Sequence, residues 1–123
     1  MGSTIPATIV AKRAYGSITK DTFVSLHTTE GYVTTCTSGV PYGIAINSAS
    51  DGEIVNVAIA GGANLVVVDS SVSIGALLGP TTGGKGTVVT ADKATYGARA
   101  EEAGTAANNV LAVSIEKGYI SAS

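Results

Sequence analysis

Cysteine and histidine occur once each in this 123-residue chain, as Cys36 and His27, phenylalanine once, and tryptophan not at all. A lone cysteine excludes an internal disulfide framework, so the fold must hold by burial and association. One thiol and one imidazole fall short of the three or four such ligands that a zinc site takes. Charge is also scarce, at 13% of residues against about a quarter in an ordinary soluble domain. Seven basic and nine acidic side chains leave a net charge of −2 with no basic block, which argues against nucleic acid as the partner. No apolar run approaches the roughly 20 residues that span a bilayer. The N-terminus lacks the charged and apolar regions of a secretory signal.

Small apolar residues, threonine and glycine take the place of what is missing. Apolar side chains make up 45% of the chain, valine and isoleucine outnumber leucine, and sixteen glycines punctuate the sequence. That mixture favours strands and tight turns. The length fits one domain with a modest core. So little charge on so apolar a chain implies that much of its surface is covered by other protein, through oligomerisation or docking on a large partner.

The pattern is clearest from Tyr42 to Val68. Tyr42, Ile44 and Ile46 share one parity, as do Val55, Val57 and Ile59, with Asp51-Gly52 between the runs. After Gly61-Gly62 comes Leu65-Val66-Val67-Val68, which has no polar face and is expected to be covered on both sides. The three runs read as an antiparallel meander at the centre of the domain. Upstream, Thr8 to Tyr15, Thr22 to His27 and Tyr32 to Thr37 alternate as strands, with Val24 and Leu26 on one face. Downstream, Asp69-Ser70-Ser71 is expected to cap a helical turn, and Gly79 to Gly86 to form a flexible loop. Thr87 to Thr90, Tyr96 to Ala100 and Val110 to Glu116 read as strands, with a helical turn between Glu101 and Asn109. The expected fold is all-β: a small barrel or sandwich with short helical turns. Residues 1–7 read as an N-terminal arm and 8–123 as a single β domain.

Candidate chemistry is thin. Gly79-Pro80-Thr81-Thr82-Gly83-Gly84-Lys85-Gly86 follows the phosphate-binding loop up to the lysine. Gly86 then stands where a magnesium-liganding hydroxyl is required, and a strand follows in place of a helix. His27 and Cys36 form a thiol–imidazole pair only if the fold brings them together. Glu101 and Glu102 are adjacent and point apart, so they make no acid/base dyad. Asp51 to Glu53 is a turn, not a calcium loop. Neither an enzyme nor a cofactor or metal site is expected. Tyr15, Tyr32, Tyr42, Tyr96 and Tyr119 carry most of the large contact area, and one or two of them are expected at an assembly surface.

Tyr42-Gly43-Ile44-Ala45, leading through Asp51-Gly52-Glu53 to Val55-Asn56-Val57-Ala58-Ile59-Ala60-Gly61, resembles the small capsid cement, or head decoration, proteins of tailed phages. So does the later order of Ile74-Gly75, Leu77-Leu78-Gly79, Gly97-Ala98-Arg99-Ala100, and Ala103 to Asn109 ahead of Val110-Leu111-Ala112-Val113. The likeness covers roughly residues 8 to 117 and is one of glycines and alternating apolar residues. It implies a compact β protein without enzymatic activity. Such a protein sits on the outer surface of the expanded icosahedral phage head and reinforces the virion shell against internal DNA pressure. The implied partners are the major capsid protein and further copies of the chain, a trimer being favoured over a dimer, with no nucleic acid and no membrane. The implied capsid-binding arm is Ser3, Thr4, Ile5, Pro6, Ala7, Thr8 and Ile9. The alternative from another class is a β-sandwich carbohydrate-binding or adhesin module of a phage tail or fibre, with Asn108 and Asn109 beside Tyr96 as its patch.

Overall fold

Alternation of β-branched and small residues yields ten strands and one 3-10 turn among the described residues, 7–62, 64–91 and 93–120, of a computed structural model. The first five are β1 (Thr8–Ala14), β2 (Phe23–Leu26), β3 (Tyr32–Thr35), β4 (Gly43–Ala45) and β5 (Ile54–Ala60). They close into a barrel in the order β1-β3-β2-β4-β5. The others are β6 (Asn64–Val67), β7 (Leu77–Pro80), β8 (Gly86–Val88), β9 (Thr95–Ala100) and β10 (Val110–Tyr119). They form a second sheet in the order β6-β10-β9-β7-β8. A parallel bridge between Val68 and Gly86 ties its two ends together.

Two cores follow from this division. Ala14, Ile18, Val24, Val33, Ala45, Ala49, Val55 and Val57 fill the barrel. Phe23, Cys36 and Ile44 leave the barrel on its outer side and pack with Val66, Val68, Leu78, Ala98, Leu111 and Val113 of the second sheet. Strand β2 is therefore buried on both faces, Val24 inward and Phe23 outward. Backbone joins the halves as well: Val67 donates to the Asp21 carbonyl at 2.8 Å. Asp21 lies in the left-handed region, with φ +64°.

Several expectations give way here. The three runs from Tyr42 to Val68 do not form a meander, because β5 already pairs with β1 and β4 and has no edge left. After Gly61, at φ +97°, the Asn64 amide donates to the Gly61 and Gly62 carbonyls at 3.3 and 3.2 Å, and β6 joins β10 instead. Leu65 is consequently exposed rather than covered. No helical turn follows Asp69; Val72 bridges Gly104, and residues 101–109 form turns rather than helix. The flexible loop expected from Gly79 begins inside strand β7, whose Pro80 pairs with Gly86. Its 3-10 turn, Thr82–Gly84, packs Gly84 against Thr22 and Thr35. Val24 and Leu26 share a parity, but Leu26 lies beyond the barrel's interior and is exposed.

Phe23 is the largest fully buried side chain. Phe23→Ala is expected to cost about 3–5 kcal/mol, the range for deleting a buried aromatic ring. A urea titration would show it as a lower midpoint. Gly43→Ala is expected to be as damaging, because the new Cβ would collide with the Ala58 carbonyl and stand 2.6 Å from Val57 Cγ1.

Candidate functional site

The residues singled out from the sequence end up in separate places. Ser3, Thr4, Ile5 and Pro6 lie outside the described residues. Ala7 leads into β1, and Thr8 and Ile9 belong to that strand rather than to an arm, paired with Ala60 and Ala58 of β5. The glycine-rich segment, expected as a flexible loop, is the turn of the β7–β8 hairpin. Lys85 Nζ donates to Asn108 Oδ1 at 2.7 Å, and Thr81 N–H donates to the Lys85 carbonyl. Glu102 accepts from the Ala112 N–H at 2.7 Å, and Glu53 from the Ser50 N–H at 2.7 Å; both act as turn locks. Asn108 and Asn109 do not adjoin Tyr96, because β10 starts next to the asparagines while Tyr96 pairs with Gly118 near its far end.

His27 and Cys36 occupy opposite ends of the β2–β3 ladder. His27 N–H pairs with the Tyr32 carbonyl and Cys36 N–H with the Phe23 carbonyl. The Cys36 thiol is buried in the inter-sheet core and donates to the Ser38 carbonyl at 3.1 Å. Burial pushes its pKa above the ordinary 9.0.

A groove of about 370 Å³ opens where β1 begins. Ala7, Ile9, Ile44, Ile46 and Leu65 give it an apolar wall, and Lys20, Asp21 and Asn64 a polar end. Ile9 is 54% exposed and Leu65 43%, with Ile46 beside them. Burial raises the Asp21 pKa above its ordinary 3.8, against the pull of neighbouring Lys20. Parity hinted at Ile46, which continues the Ile44 register. Leu65 was hidden by the assumption that its run was covered on both sides.

Two aromatic features complete the surface. Tyr42 is flanked by the ammonium groups of Lys12 and Lys117, 5.9 and 5.4 Å from its ring centre, within cation–π range. Burial pulls the Lys117 pKa down. Tyr15 stacks on His27 with ring centres 3.7 Å apart and planes 15° apart, and meets Tyr32 edge-on at 6.3 Å. The parallel pairing of β1 with β3 creates this cluster from residues far apart in the chain, and strand parity carries no signal for it. Tyr15 and Tyr119 are the exposed tyrosines among the five.

The sequence matches no family model and no curated protein. The fold is similar to that of a phage head fiber base. The head fiber gp8.5 N base of bacteriophage phi29 aligns with a TM-score of 0.72 over 95% of this chain and 100% of that one, at 12% identity. The likeness is one of architecture, and it spans both halves of the molecule.

Two outcomes test the local electrostatics. With its folded pKa raised, Asp21 supports folding fully only below its unfolded pKa, and that support is lost as pH rises through the folded value. Asp21→Asn is therefore expected to raise the melting temperature at pH 7 and to leave it nearly unchanged at pH 3. For Cys36 the same sign places the loss in the alkaline range, above 9.0. Native protein is expected to resist a thiol reagent that labels the unfolded chain at once, and Cys36→Ala to flatten the alkaline fall in stability.

Proposed function

We propose that this chain is a structural protein of a phage head. In this reading it acts as a cement or decoration protein on the outer surface of the expanded shell, bridging major capsid subunits. The single observation that carries the reading is the fold likeness to a head fiber base over 95% of the chain. The low charge and the apolar groove of exposed Ile9, Ile46 and Leu65 support it, because such a surface gains from being covered.

The physical mechanism is association without chemistry. A standard interface buries roughly 1,600 Å², all of which must be re-exposed when the bridged subunits separate. Joining several copies in one oligomer, a trimer or else a dimer, raises avidity by about 10² to 10⁴ over a single contact. The role asks for no catalytic group and no cofactor. The segment Ser3 to Ala7, which precedes β1 in the sequence, is the proposed grip on the shell, with Thr8 and Ile9 contributing as part of the rigid strand.

Co-sedimentation with expanded empty heads stripped of this protein tests the proposal. Ile9→Asp and Leu65→Asp change exposed side chains, so both variants are expected to fold while losing at least about tenfold in head affinity. Deleting residues 2–6 removes the arm without touching β1 and is expected to weaken binding similarly. Undiminished binding by all three would reject the reading.

A further inference from the structure

We propose that the outer wall of the barrel at the β1–β3 junction is a binding site for a neutral carbohydrate, independent of the head-binding surface. A second groove of about 330 Å³ lies there, lined by Ala11, Lys12, Arg13, Glu30, Gly31 and Tyr32, with Ile54 closing one side. Arg13 and Tyr32 are register partners across the two parallel strands, and both line the groove. Tyr32 in turn meets Tyr15, whose ring is backed by His27. The His27 ring is itself fixed, because its Nδ1 accepts the Thr29 N–H at 3.0 Å. Tyr15 is half-exposed, so the site joins a cleft to an aromatic surface whose rings are held before any ligand arrives.

The chemistry selects the ligand. An aromatic face carries negative charge density and attracts polarised C–H groups, such as those on one face of a pyranose ring. Arg13 is anchored by an N–H donated to the Gly52 carbonyl at 2.9 Å and keeps further N–H groups to offer to hydroxyls. Glu30 supplies a carboxylate acceptor to the same groove. Lys12 also lines the groove, with its ammonium 5.9 Å from the Tyr42 ring centre. Donors and an acceptor on one groove beside an aromatic surface suit an uncharged ring whose hydroxyls both donate and accept. The volume holds a short stretch of sugar rather than a polymer fold.

The test is amide NMR of the full chain titrated with neutral oligosaccharides, namely β-1,4-linked glucose, α-1,4-linked glucose and β-1,4-linked N-acetylglucosamine. Saturable shifts confined to Arg13, Tyr15, Glu30 and Tyr32 are expected with at least one of them. Tyr32→Ala and Glu30→Gln are expected to weaken that binding at least about tenfold. Glu30 is exposed at a hairpin tip, so Glu30→Gln is expected to melt with the parent protein and to keep its affinity for phage heads. Shifts absent with all three sugars up to about 10 mM, or mapping to the Ile9–Leu65 groove instead, would overturn the proposal. So would binding that both substitutions leave intact.

Discussion

The molecule depends on three side chains that point out of the barrel rather than into it. Phe23, Cys36 and Ile44 belong to the barrel half of the chain yet pack into the second core. Without them the barrel would keep a narrow interior of valine, alanine and Ile18, and the second sheet would lose the ring and side chains that its buried face packs on. A core built from such small residues offers limited apolar area per strand, so sharing one ring, one thiol and one aliphatic side chain between the layers has a large effect on a chain of this size. Close approach makes the sharing feasible. Gly97 lets β9 sit against Pro41 and the Phe23 ring, where a Cβ would stand 2.6 Å from Pro41 Cγ. Gly84 brings the β7–β8 turn onto the Phe23 backbone.

Period-two alternation exposed most of the strands and the all-β class, because alternation records which side of a strand faces a core. Val55, Val57, Leu111 and Val113 are buried as their parity implies. Partner choice was not legible. Nothing in Leu65-Val66-Val67-Val68 says that β5 has no edge left to offer, and that fact alone sends β6 to the other sheet. Strand β7 is not legible in the sequence because Gly79 and Pro80 are turn formers by composition. Here Gly79 is required because a side chain would collide with the Thr95 carbonyl, and Pro80 sits at the last strand position, where its missing N–H costs little. The surface sites were even less legible. The Tyr15–His27–Tyr32 cluster needs a parallel pairing, and the Ile9–Leu65 groove needs a crossover, both long-range facts that local pattern does not encode.

An identity of 12% with a TM-score of 0.72 fits this division of labour. Alternation and a few sterically forced glycines can be preserved while nearly every side chain changes, provided small residues stay small in the core. The outward positions are under no such constraint, and the polar or apolar character of a groove is free to follow whatever it meets.

Closure of the sheets bears on the association proposed for this protein. An open sheet edge invites a neighbour's strand, with loss of control over partner and register. The first five strands close on themselves, and the Val68–Gly86 bridge joins the ends of the other five. With edges largely removed, the contacts proposed above fall on side chains of faces, at places such as the Ile9–Leu65 groove and the Tyr15 stack. Face contacts depend on shape and side-chain identity, so they confer specificity that backbone pairing lacks. A protein sparing in charge has little electrostatic repulsion to keep copies apart, and a closed, two-core architecture supplies that protection in another form.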